Sequence, residues 1–161
     1  MNKEANKEIE RKFLVDDRSG SWRSTGYSEI RQGYLSTDKH RTVRVRTAGD
    51  AAYLTIKGIT EGATRAEYEY PIPVADAGKM LDTLCLRPLI EKRRHRVEYA
   101  GLIWEVDEFY GDNDGLIIAE VELKNARQAF DNPPWAGAEV TDDPRYYNAN
   151  LVGNPYTKWK T

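Results

Sequence analysis

The sequence has a single cysteine, Cys85, and only two histidines, His40 and His95. One cysteine excludes an internal disulfide and a thiolate metal cluster, and two histidines are too few for a typical zinc site. Long apolar runs are also missing. The longest, such as GLIIA from Gly115 to Ala119, cover only a few residues, so no segment reads as a transmembrane helix. The opening MNKEANKEIE has no apolar signal region, and a cytoplasmic location is expected. Excess positive charge is absent as well. Lys and Arg total 24 against 26 Asp and Glu, a net charge of −2, so bulk attraction to nucleic acid is not expected. Low-complexity segments and internal repeats are lacking. Any anion chemistry must come from locally sorted charge.

What is present is alternation. The 161 residues are 40% hydrophobic and 31% charged, enough for one domain spanning 1–161 with a real core. Period-two patterns predict strands over Glu8–Val15, Ser28–Leu35, Thr42–Thr47, Ala52–Lys57, Arg65–Ile72, Leu89–Tyr99, Ile103–Phe109 and Leu116–Lys124. TAGDAA and YAGL read as hairpin turns, and YGDNDG as a longer polar loop. One amphipathic helix is expected after Pro73, with Val74, Ala77, Met80, Leu81 and Leu84 at helical spacing. DDPRYYNANLVG reads as a second, with Asp143 as N-cap, Pro144 in the first turn and Gly153 just past the end. DRSGSWRST is a weaker candidate for a short helix. The fold class that follows is mainly β, an antiparallel eight-stranded closed barrel with a few flanking helices, since closure removes sheet edges.

The polar faces of these strands are unusual. In EIERKFLV the side chains of Glu8, Glu10 and Lys12 leave one face, with neighbouring carboxylates about 7 Å apart. Arg44 and Arg46 stand opposite Val43 and Val45, and Lys57 opposite Leu54 and Ile56. Glu67 and Glu69 share a face with Arg65, while Lys92, Arg94 and Arg96 form a basic row. Glu105 and Asp107 oppose Trp104 and Val106, and Glu120, Glu122 and Lys124 oppose Ala119, Val121 and Leu123. A sheet with one wet face alternates in this way as a matter of course. Here, however, the polar face is almost wholly ionised and its charges are sorted strand by strand. Two carboxylates at that spacing repel by about 2 kcal/mol at an effective dielectric near 20. Inside a barrel that cost persists unless a cation lies between them. A barrel with this face inward places acidic and basic rows around a lumen, an arrangement suited to a polyanion carrying a divalent metal.

Glu8-x-Glu10-x-Lys12 resembles the ExExK signature of the CYTH superfamily, the triphosphate tunnel metalloenzymes. Arg44-x-Arg46, Lys57, Glu67-x-Glu69, Lys92-x-Arg94, Asp107 and Glu120-x-Glu122 follow in the family's order, so the resemblance runs from Glu8 to about Lys124. It implies an eight-stranded tunnel that binds triphosphate with Mg²⁺ or Mn²⁺. The expected metal ligands are Glu8, Glu10, Glu120 and Glu122, with Asp107 or the pair Glu67 and Glu69 completing or orienting the shell. Lys12, Arg44, Arg46, Lys57, Lys92 and Arg94 would grip the phosphates. Lys12, Lys92 and Tyr34 are catalytic candidates, Tyr34 as proton acceptor or else as a packed barrel aromatic. His95 lies on the face opposite Arg94 and reads as structural. Trp104, Tyr68 and Tyr70 read as core beneath the helices.

The family holds inorganic, thiamine and RNA triphosphatases and class IV adenylyl cyclases. The cyclases commonly carry a His-Phe pair before ExExK, where this chain has Asn2 and Lys3. The resemblance is therefore to the small bacterial members, and the expected reaction is hydrolysis of tripolyphosphate. An organic triphosphate enzyme and a non-catalytic polyphosphate-binding module remain the alternatives. A small-molecule triphosphate is the expected partner of a monomer or homodimer, with neither nucleic acid nor membrane involved.

Overall fold

The computed structural model describes residues 6–16, 19–24 and 26–159. Asn2 and Lys3, where a cyclase pair would stand, lie outside the described residues. The strands are β1 (Lys7–Val15), β2 (Ser28–Asp38), β3 (Arg41–Ala48), β4 (Ala51–Lys57), β5 (Thr64–Pro71), β6 (Ile90–Tyr99), β7 (Leu102–Phe109), β8 (Ile117–Glu122) and β9 (Ala136–Glu139). They pair in the order β5-β4-β3-β2-β6-β7-β8-β1, and β5 returns to β1 with Glu8 opposite Arg65, so eight antiparallel strands close on themselves. The two turns expected to be tight are so. Gly49 takes φ +58° between β3 and β4, and Ala100 and Gly101 take φ +49° and +82° between β6 and β7.

The ninth strand was not expected. β1 is long enough to pair with β5 only through Lys7–Ile9, after which its freed edge takes up β9, with Phe13 opposite Glu139 and Val15 opposite Ala136. The pairing is locked from the surface, where Arg11 Nε donates to Glu139 at 2.6 Å.

Apolar side chains lie on both sides of the barrel wall, in three groups. Outside β1, β7 and β8, Phe13, Trp104, Val106, Ala119 and Val121 pack with Trp22, Leu123 and Trp135. Trp104 is core as expected, but its cover is the chain around Trp22, Phe130 and Trp135 rather than a helix. The Trp104 ring meets Phe130 and Trp135 edge to face at 5.8 and 5.6 Å. DRSGSWRST accordingly forms no helix over its described residues; it lays Trp22 into this cluster.

Outside β3 and β4, α1 (Val74–Thr83) buries Ala77 and Leu81 against Val45 and Ala52. The segment leaving α1 crosses β2 so closely that a Cβ at Gly33 would stand 2.7 Å from Cys85 Cβ, which requires glycine there. The cover ends before the β4–β5 edge. Tyr68 and Tyr70 are 42% and 53% exposed, not core, because no helix among the described residues covers them.

The third group lies inside. Tyr34, Ile90, Phe109 and Ile118 have the parity of the charged lumen residues on their strands, yet they are buried with Val140, Tyr146, Leu151 and Val152. The C-terminal segment thus covers part of one end of the barrel. It does so as two short pieces rather than the single helix expected. A 3₁₀ turn over Pro144–Tyr146 is capped by Asp143, which accepts from the Arg145 N–H. Tyr147 then takes an extended conformation (φ −71°, ψ 131°) and donates its hydroxyl to the Thr141 carbonyl at 3.0 Å. Helix α2 (Asn148–Gly153) follows and buries Leu151 and Val152, with Gly153 inside its end.

Candidate active site

Charged side chains at alternate positions of the barrel strands line a cavity of ≈ 620 Å³. The strand order sorts their charge across it. Neighbouring β8, β1 and β5 carry Glu120, Glu122, Glu8, Glu10, Glu67 and Glu69, an acidic wall. Neighbouring β6, β2 and β3 carry Lys92, Arg94, Arg44 and Arg46, a basic wall opposite. Lys12, Lys57 and Tyr34 also line the cavity. Of the residues expected to form the site, Asp107 alone is not on its lining.

Two lysines hold the acidic wall together. Lys12 Nζ is 2.9 Å from Glu10 Oε1 and 2.9 Å from Glu120 Oε1. Burial alone would lower the Lys12 pKa, but these two carboxylates outweigh it and raise it above the ordinary lysine value. Burial likewise works to raise the Glu10 pKa, and Lys12 brings it below normal. Lys57 Nζ lies 2.9 Å from Glu8 Oε2 and 3.5 Å from Glu67 Oε2.

The basic wall is less satisfied. Arg44 donates from Nη2 to Thr55 at 3.1 Å and to Glu69 at 3.5 Å, but its buried Nε has no hydrogen-bond partner. An orphaned buried donor costs about 1–3 kcal/mol. Burial, with the charges of Arg44 and Arg94 nearby, presses the Arg46 pKa down to about 9. Burial also lowers Lys92 to about 7, against the opposing pull of Asp107. Burial and like charge outweigh counter-charge at Arg46 and Lys92, whereas Asp107 outweighs burial at Arg94 and raises its pKa.

Asp107 lies behind that wall with no exposed surface. Lys92 Nζ stands 2.7 Å from its Oδ2, and Arg94 donates to its two oxygens at 2.8 and 2.9 Å. Burial would raise its pKa; Arg94 and Lys92 instead bring it to about 2. It orients cations rather than facing the cavity. Glu105, one position of the same parity nearer the rim, lines the cavity in its place, its pKa raised chiefly by burial. Tyr34 is only 5% exposed and packs under the C-terminal segment, the environment of a structural aromatic at the cavity edge. His95 is buried outside the barrel, where Nδ1 accepts from the Ser24 N–H at 3.1 Å and the ring meets Trp22 edge to face. Arg96 is exposed beyond the rim.

Sequence reasoning passed over Gln32, Thr55 and Asn148. Gln32 has the parity of Tyr34 and accepts from Arg46 Nε at 2.8 Å. Thr55 has the parity of Lys57 and links Arg44 to Glu69. Both were findable by alternation, but their lack of charge hid them. Asn148 reaches the lumen from α2 and carried no period-two signal.

The CYTH domain family model matches residues 6–147. The chain belongs to the CYTH domain family. Two relatives named inorganic triphosphatase are similar to this CYTH chain. The one from Acetivibrio thermocellus is 50% identical over 155 residues, covering 96% of this chain and 98% of the relative. The one from Nitrosomonas europaea is 38% identical over 150 residues, covering 90% and 96%. A crystal structure titled as an inorganic triphosphatase superposes with a TM-score of 0.63 at 35% identity, over 90% of this chain and 93% of that one.

Among the described residues, no group of three or more Asp, Glu, His or Cys side chains converges closely enough to hold a metal ion. The donor chemistry nonetheless fits a hard cation. Oxygens of Glu10 and Glu120 already share one positive centre, the Lys12 ammonium, and Glu122 stands opposite Glu10 in the β1–β8 register.

Proposed function

We propose that this protein hydrolyses inorganic tripolyphosphate to pyrophosphate and phosphate in the barrel lumen, with Mg²⁺ or Mn²⁺. The observation that carries this reading is the opposition of an acidic and a basic wall across one cavity, in a chain half identical to a relative named inorganic triphosphatase. Pure polyanion binding needs only the basic wall. The acidic one has a use when a cation accompanies the substrate.

Arg44, Arg46, Lys92 and Arg94 bind the phosphoryl oxygens, the arginines through paired donors and Lys92 as a point charge. Substrate charge relieves their mutual repulsion. Asp107 holds Lys92 and Arg94 in place. Glu10 and Glu120, with Glu8, Glu122, Glu67 and Glu69 around them, would hold the metal through their oxygens, and a bound metal would supply charge neutralisation for the triphosphate and acidify a coordinated water. Lys12, held protonated between Glu10 and Glu120, and Lys57, beside Glu8 and Glu67, bring positive charge to the substrate from the acidic side. Lys92, held near 7, can exchange a proton at neutral pH where the leaving phosphate needs one. Tyr34 shapes the cavity edge.

A substrate panel tests the reading. Phosphate release from tripolyphosphate is measured beside ATP and thiamine triphosphate, in Mg²⁺ or Mn²⁺ and in chelator. Preference for tripolyphosphate with loss in chelator is expected. Preference for an organic triphosphate, or tight binding without release, would overturn it.

A further inference from the structure

One side chain that touches the lumen cations comes from outside the barrel strands. Asn148 opens α2, one residue beyond the end of the family match. Its Oδ1 accepts from Lys92 Nζ at 2.9 Å and from Gln32 Nε2 at 3.0 Å. Gln32, itself fully buried, accepts from Arg46 Nε at 2.8 Å. The four groups make one chain: Lys92, Asn148, Gln32, Arg46.

The amide orientations in this chain determine each other. Arg46 can only donate, so Gln32 must turn its oxygen to it and its nitrogen away. That nitrogen needs an acceptor, and Lys92 Nζ, which also pairs with Asp107, donates to the same one. Asn148 Oδ1 satisfies both. Lys92 and Arg46 repel each other, and burial strengthens that repulsion. Asp107 answers Lys92 and Arg94, while the acceptor given to Arg46 is Gln32. Two neutral amides therefore space two cations that a carboxylate would partly neutralise. The basic wall keeps its charge for the substrate while its geometry is set.

Building on the proposed tripolyphosphate chemistry, we infer that Asn148 is a positioning residue: acting through Lys92 and the Gln32–Arg46 pair, it sets the spacing of the cations that grip the phosphates. The short C-terminal helix is thereby tied to substrate affinity, not only to closure of the barrel end. Leu151 and Val152 of the same helix serve packing alone.

The test is steady-state phosphate release from tripolyphosphate by Asn148→Ala, Gln32→Ala, the double variant and Leu151→Ala, with a melting temperature for each. Loss of a hydrogen bond to a charged group predicts a fall in kcat/KM of about ten-fold for Asn148→Ala, carried by KM. The double variant should be no worse than the worse single, since both changes break one chain. Leu151→Ala should lower the melting temperature and leave KM near wild type. The inference is overturned if Asn148→Ala leaves KM within about two-fold of wild type. It is equally overturned if the Asn148 and Gln32 losses multiply, or if Leu151→Ala raises KM as much as Asn148→Ala. A wild-type protein that releases no phosphate from tripolyphosphate defeats the proposed function instead. The same variants are then compared by calorimetric affinity for tripolyphosphate, and an unchanged affinity for Asn148→Ala overturns the inference.

Discussion

Asp107 has the parity of Glu105 on β7, and alternation alone treats the two alike. Depth separates them. At Glu105 the strand nears the rim, while Asp107 faces Lys92 and Arg94 beneath the basic wall. Period two tells which face a residue is on, not how far along the lumen it stands, so its ion pairing was not legible. Neutralising it would strand two buried cations. Asp107→Asn is expected to cost about 3–5 kcal/mol in urea unfolding, and a loss under about 1 kcal/mol would contradict the pairing described. Lys92 offers a pH test on the protein without substrate. Its folded pKa of about 7 lies below the lysine value of about 10.4 in an unfolded chain. Between those values the unfolded state binds the extra proton, so this residue makes stability rise with pH from about 7 upward, by at most about 1.4 kcal/mol per unit. Lys92→Met should remove that slope between pH 7 and 9; identical slopes in both proteins would show that burial does not depress the Lys92 pKa.

Most barrel strands were legible because ionised and apolar residues alternate along them, and because glycine marks the tight turns. β9 was not. AGAE has no alternation, and its pairing depends on the edge of β1 that β5 leaves open. The second helix was read from Asp143, Pro144 and Gly153, whose local preferences are real. At Tyr147 the backbone is extended instead, its hydroxyl donating to the Thr141 carbonyl, and Asn148 beyond it accepts from Lys92. Similarly, nothing in DRSGSWRST shows that Trp22 will be buried against the outer wall, because its partners come from distant strands. Truncating it, Trp22→Ala, should cost about 3–5 kcal/mol in chemical unfolding. Because this cluster lies outside the wall, KM for tripolyphosphate should change by less than about two-fold while the variant remains folded. A normal stability would mean that the outer cover is not core.

Across the molecule, the same eight strands that close the barrel place unlike charges on opposite sides of it. Strand order, which the sequence does not display, decides this: β8, β1 and β5 are neighbours, and so are β6, β2 and β3. The family match and its full-length relatives agree with the barrel fold. If the two walls act together, removing charge from either should stop turnover without unfolding the chain. Arg46→Ala and Glu10→Ala are each expected to lower kcat/KM by at least about 100-fold while retaining cooperative unfolding. A change under about three-fold in either would mean that its wall is only a solvated face. The most direct measurement is phosphate release from tripolyphosphate by the wild-type protein in Mg²⁺ or Mn²⁺, followed through addition of excess chelator and then of excess metal. Release that stops and resumes is the predicted result; no release in either metal, or release indifferent to chelator, would contradict it.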